Sequence, residues 1–68
     1  VEVRAKDLAA LVEQGIREGK YLSGSQIPSE YAMVEEHGVS RNLVREAYAM
    51  LTGKGLIEKR PGYGTYVL

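Results

Sequence analysis

Sixty-eight residues, with one histidine and no cysteine, fit one small domain and leave no room for a second core. A chain of this size buries only roughly 60% of the surface it exposes when unfolded, so every large apolar residue counts. Without Cys there are no disulfides, thiolate zinc sites or cysteine nucleophiles, and no acidic cluster has the spacing of a carboxylate metal site. No apolar run approaches ~18 residues, and no charged-then-apolar N-terminus resembles a signal peptide. The sequence starts on Val1 rather than Met, so it is expected to be a piece of a longer protein.

Formal net charge is zero, yet the charges are unevenly placed. Residues 1–38 carry four Lys/Arg against seven Asp/Glu, whereas residues 39–68 carry five (Arg41, Arg45, Lys54, Lys59, Arg60) against two (Glu46, Glu58). Such asymmetry between halves is expected when one face meets a polyanion, although a short chain also reaches it by chance.

Leu8, Leu11, Val12 and Ile16 recur at helical spacing and predict a first helix over about Lys6–Glu18, with Asp7 complementing the dipole of its first turn and Gly19 ending it. Gly15 inside this helix costs about 1 kcal/mol relative to Ala, so the helix needs tertiary packing. Residues 21–28 read as a loop with at most a short strand at Gln26-Ile27. Ser29 is an N-cap for a second helix running to about His37, with Ala32 or Met33 turned inward and Glu30 in its acidic first turn. Gly38 breaks that helix, and Ser40 caps the next. Two helices joined by a tight Gly turn have the form of a helix-turn-helix.

The third helix is predicted from Arg41 to about Thr52, its core stripe being Val44, Ala47, Tyr48 and Leu51. Arg41, Asn42 and Arg45 fall on the opposite side, in the first turn and a half, and Leu43 falls at the edge between the two faces. Gly53 and Gly55 end the helix. Leu56–Arg60 and Thr65–Leu68 read as strands, joined by a type II turn with Pro61 at its second position and Gly62 at its third. The expected fold is mainly α with a small β-hairpin: a winged helix-turn-helix of three helices plus a two- or three-stranded wing.

The strongest constellation runs from Val39 to Arg45. A recognition helix enters the major groove N-terminus first, so its base-reading residues must lie in its first two turns. Arg can grip guanine O6/N7 bidentately and Asn can grip adenine N6/N7, while Ser40 and the N–H groups behind it suit a phosphate. The competing reading of Arg41, Asn42 and Arg45 is a solvated polar face. In the hairpin, Lys59 and Arg60 precede a turn holding Gly62, Tyr63 and Gly64; extended backbone sends the two cations to opposite faces, so only one turns toward the third helix. His37 has no partner at ligand spacing and reads as packing or capping. Glu35 and Glu36 read as solvated surface. Tyr48 and Tyr66 occupy core-like phases, while Tyr21, Tyr31 and Tyr63 are ambiguous. No paired carboxylates, Ser/His/Asp set or phosphate-cradling glycine loop points to an enzyme, and neither catalytic residue nor cofactor is predicted.

In order along the chain stand Gly24-x-x-Ile27-Pro28-Ser29-Glu30, Gly38-Val39-Ser40-Arg41-x-x-Val44-Arg45-x-Ala47, Leu51-x-x-x-Gly55-Leu56-Ile57 and Gly62-x-Gly64-Thr65-Tyr66-Val67. From about Leu8 to Val67 the sequence thereby resembles the DNA-binding domain of the GntR family of bacterial transcriptional regulators. The resemblance implies a cytoplasmic repressor or activator that dimerises on a near-palindromic double-stranded operator. It implies DNA contacts from Ser40, Arg41, Asn42 and Arg45, and a wing, Gly62–Gly64, along the minor groove. It also implies a C-terminal domain, outside these residues, that takes a small-molecule effector or oligomerises. With the flanking positions, the residues nominated for DNA are Ser29, Tyr31, Ser40, Arg41, Asn42, Leu43, Arg45, Arg60, Gly62, Tyr63 and Gly64. Tyr31, Leu43 and Tyr63 depart from the family pattern, which favours a basic residue, Thr and a small or basic residue there. The alternative reading is a winged helix used for protein–protein contact, which neutral charge and Tyr31 and Tyr63 would suit.

Overall fold

A computed structural model describes residues 3–68. Helices α1 (Ala5–Arg17), α2 (Glu30–His37) and α3 (Arg41–Gly53) are followed by strands β1 (Ile57–Arg60) and β2 (Gly64–Val67), the winged helix that the pattern predicts. Each helix starts where a local acceptor meets its unpaired N–H groups. The Asp7 carboxylate accepts the Arg4 backbone N–H at 3.0 Å, Ser29 Oγ accepts Ala32 N–H at 3.1 Å, and Ser40 Oγ accepts Leu43 N–H at 3.1 Å. Between α2 and α3 the chain reverses through Gly38 at φ +64°, a left-handed conformation that costs glycine little.

The strands pair antiparallel with Ile57 opposite Val67 and Arg60 opposite Gly64. At the hairpin turn Tyr63 N–H donates to Arg60 O at 2.9 Å and Gly62 takes φ +83°, the type II geometry that Pro61-Gly62 predicts. The segment 24–27 lies along the free edge of β2: Gly24 N–H donates to Val67 O at 2.8 Å, Val67 N–H to Ser25 O at 2.9 Å, and Ile27 N–H to Thr65 O at 2.9 Å. Gln26 forms an isolated bridge with Tyr66, so the wing is a two-stranded sheet whose outer edge is covered by the loop before α2.

Leu8, Ala9 and Val12 from α1, Met33 from α2 and Val44, Ala47, Tyr48 and Leu51 from α3 bury together with Ile27, Ile57 and Val67. Two expectations need correction. Leu11 is 54% exposed, and Ala9 takes the buried flank instead, because α3 packs against α1 on the side where a methyl group permits close approach. Tyr66 is not a core residue; alternation along β2 turns Val67 inward and Tyr66 outward, under the Arg60 guanidinium at 4.6 Å from the ring centroid. Gly15 has a packing reason: a Cβ there would stand 2.8 Å from Tyr21 Cε2, so the Tyr21 ring lies directly on the helix backbone. Among the described residues no helix is long and apolar enough to cross a membrane, and no group of three His, Asp or Glu side chains could hold a metal ion.

Candidate nucleic-acid interface

The first turns of α2 and α3 and the wing converge on one side of the molecule. A groove of about 420 Å³ has Ser29, Glu30 and Tyr31 on one wall, Arg41 at its end, and Lys59 to Thr65 on the other wall. It unites seven of the nominated residues: Ser29, Tyr31, Arg41, Arg60, Gly62, Tyr63 and Gly64. Tyr31 and Tyr63 stand 73% and 76% exposed, one on each wall, which resolves the ambiguity about them in favour of surface. A second groove of about 430 Å³, between α3 and the inner wing face, is lined by Arg45, Tyr48, Thr52, Lys59 and Thr65.

The remaining nominated residues occupy the start of α3. Ser40 and Asn42 are exposed, while Leu43 is half-buried against the core at the edge of the stripe, as its helical phase predicts. Ser40 Oγ accepts the capping bond from Leu43 N–H, which leaves its O–H free to donate outward. Arg41 and Arg45, one turn apart, share a face and flank the carboxylate of Glu30, with Nε 3.7 Å and 3.5 Å from Oε1. Their side chains stay 70% and 57% exposed, so each guanidinium keeps its terminal donors for an outside acceptor pair, such as a phosphate or the O6/N7 edge of guanine.

The recognition helix is held from behind. Tyr48 is buried and its hydroxyl donates to Pro28 O at 2.6 Å, which ties α3 to the loop that starts α2. Burial, first, and then the charges of nearby acidic groups push the Tyr48 phenol far above its ordinary range, so the hydroxyl stays a donor at any physiological pH.

Two residues at this surface, Glu30 and Gln26, escaped the sequence reading, and the choice between the two wing cations is decided by the fold. Lys59, not Arg60, is the wing cation turned toward α3; Arg60 lies on the outer face, paired with Glu58 at 2.9 Å. Strand alternation carries that signal, since Lys59 shares its face with buried Ile57. Glu30 belongs to the quoted motif, but its position between two arginines needs the angle between α2 and α3. Gln26, whose Nε2 donates to Tyr63 O at 3.1 Å, left no signal in the sequence.

This architecture, a helix-turn-helix with its wing beside the recognition helix, defines the class, and comparison with known proteins gives the lineage. The family model described as "Bacterial regulatory proteins, gntR family" matches residues 4–67, and the chain belongs to that family. The Exu regulon transcriptional regulator of Escherichia coli (strain K12) is 41% identical over 63 residues, 93% of this chain and 24% of that protein. The galactonate operon transcriptional repressor of the same strain is 43% identical over 49 residues, covering 72% of this chain and 21% of that protein. A crystal structure of AraR(DBD) in complex with operator ORR3 superposes with a TM-score of 0.91 at 31% identity, covering 94% of this chain and 77% of that one. The chain thus spans about a quarter of the length of the regulators it matches.

Proposed function

We propose that this chain is the sequence-specific, double-stranded-DNA-binding domain of a bacterial transcriptional regulator, with the start of α3 in the major groove and the turn Gly62–Gly64 at the minor groove. The observation that carries the reading is the placement of Arg41 and Arg45, exposed on the first turns of α3 and flanked by the wing. The AraR domain of the same fold was crystallised on its operator, which supports transfer of the docking mode. In this reading Arg41, Asn42 and Arg45 meet base edges. Ser29, Tyr31, Ser40 and Leu43 shape or touch the backbone-facing rim, and Arg60, Gly62, Tyr63 and Gly64 approach the minor groove.

For the whole protein we infer a cytoplasmic repressor or activator, dimeric on a near-palindromic operator, with a separate domain that takes a small-molecule effector or oligomerises and no catalytic activity. A second reading, docking of another protein, draws on the exposed rings of Tyr31 and Tyr63.

Salt separates the two. Anisotropy titrations of the 68-residue chain on a duplex selected from a randomised pool, and on random duplex, should show affinity falling steeply between about 50 and 200 mM salt, as counterion release requires. An apolar protein contact has no such dependence. Absence of DNA binding at low salt overturns the reading.

A further inference from the structure

We propose that Gln26 is a positioning residue for the wing: its side-chain amide latches the hairpin turn to the loop before α2, and through that loop to the recognition helix. The inference rests on the DNA-binding reading and adds to it the residue that fixes the distance between the two groove-reading elements.

Regular pairing of the hairpin ends at Arg60 opposite Gly64, and inside the turn Tyr63 N–H is satisfied by Arg60 O at 2.9 Å. The Tyr63 carbonyl therefore has no strand partner. Gln26 supplies one, Nε2 donating at 3.1 Å across 37 residues of sequence. Only the amide end of the glutamine can serve here, because the acceptor is a carbonyl. The Tyr66 hydroxyl also faces this carbonyl, but at 3.4 Å it lies beyond the usual range for an O–H···O bond. Gly64 completes the latch. A Cβ at that position would overlap the Gln26 side-chain amide, so the absence of a side chain is what lets the amide reach the turn.

The other end of the same segment is equally fixed. Two residues beyond Gln26, Pro28 O accepts the Tyr48 hydroxyl at 2.6 Å, and the next residue, Ser29, caps α2. Segment 24–28 is thus a strut, joined to α3 by one side-chain hydrogen bond, to β2 by backbone bonds as far as Thr65, and to the wing turn itself by the Gln26 amide. The backbone bonds between this segment and β2 stop at Thr65, so without the Gln26 bond the turn from Pro61 to Gly64 keeps only its hairpin closure and the long Tyr66 contact, and its tip can shift relative to α3. Gln26 is itself exposed, so its contribution to the core is small.

Gln26→Met tests this, keeping the length of the side chain and removing its donor. Wild type and variant are titrated on a duplex selected from a randomised pool, footprinted on it with hydroxyl radicals for the minor groove and by guanine-N7 methylation for the major groove, and melted. The variant should bind about three- to tenfold more weakly, the factor carried by one lost hydrogen bond. It should lose minor-groove protection while keeping N7 protection, with Tm lowered by only a few degrees. Unchanged minor-groove protection in the variant, beside a wild type that protects both grooves, overturns the latch alone. Loss of both protections with a much larger fall in Tm also overturns it, since Gln26 would then be a structural residue. A wild type that protects neither groove overturns the DNA reading and the latch together.

Discussion

Two glutamates, each set between two cations, mark opposite sides of this small domain. Between α1 and α3, Glu13 takes Arg17 at 2.7 Å and Lys54 at 2.9 Å. Between α2 and α3, Glu30 takes Arg45 at 3.5 Å and Arg41 at 3.7 Å. Burial does not distinguish them, because the carboxylates are 17% and 21% exposed. Geometry does. At Glu13 the terminal nitrogens Arg17 Nη2 and Lys54 Nζ reach the carboxylate at full hydrogen-bonding distance, one on each oxygen, and the cluster is closed. At Glu30 both guanidinium groups approach by Nε and at distances too long for good hydrogen bonds, so their outer edges remain available. The first arrangement joins two helices; the second holds two cations in readiness for a stronger anion.

The comparison predicts separable consequences, and the largest belongs to Arg45. Arg45→Ala should weaken binding to a selected duplex by about 1–3 kcal/mol, the worth of a bidentate base contact, while leaving Tm nearly unchanged because the side chain is 57% exposed and outside the core stripe. Anisotropy titration beside a thermal melt checks both halves; equal affinities for the two proteins would place Arg45 outside the interface. Glu30→Gln should act in a different manner. It removes a negative charge beside the incoming phosphates and the guide that keeps Arg41 and Arg45 together. Binding to random duplex should strengthen by about two- to fivefold, with a smaller gain on the selected duplex, so discrimination narrows. Equal gains on both duplexes would mean that Glu30 supplies charge alone and does not orient the arginines.

The legible parts of this molecule are those set by local chemistry. The start of α3 could be read because the Ser40 cap, the stripe from Val44 to Leu51 and the polar residues opposite all agree, and the hairpin turn because Pro61-Gly62 admits few alternatives. Leu11 shows where periodicity runs out: it fixes the centre of an apolar face, but which flank is buried depends on where the neighbouring helix lands. Tyr66 shows that an aromatic ring beside a strand end can cover an outer face as well as a core. The contacts that organise the candidate interface are long-range. Glu30 meets Arg45 across 15 residues and Gln26 meets Tyr63 across 37, and neither separation has a period that sequence can display. The element and face on which each nominated residue sits are therefore readable locally, whereas the carboxylate and the amide placed among them are not.

The smallest expected effect lies at the closed cluster and is a matter of pH. The Lys54 ammonium, hydrogen-bonded to Glu13 and aided by its charge and that of Arg17, holds the Glu13 carboxyl below the usual carboxylate range, against a weaker opposing effect of desolvation. A carboxyl with a depressed folded-state pKa binds its proton more readily in the unfolded chain. Its stabilisation is therefore complete above the unfolded value, near about 4.3, and is lost as pH falls through the lower folded value. At pH 7, Glu13→Gln should melt about 1–4 °C below wild type, the scale of an exposed pair in a domain this small. The gap should persist down to about pH 5, narrow through the acid range, and vanish once Glu13 is protonated in both states, because glutamine and a neutral carboxylic acid are then close to equivalent. DNA binding at pH 7 should be the same for both proteins, since Glu13 lies on the α1–α3 side, away from the grooves that hold Arg41 and Arg45. Melting curves at several pH values, with an anisotropy titration at neutral pH, test both statements. A Tm gap that stayed constant into strong acid would show that Glu13 stabilises the helix pair through packing of its methylene groups, and that the ion pair contributes nothing.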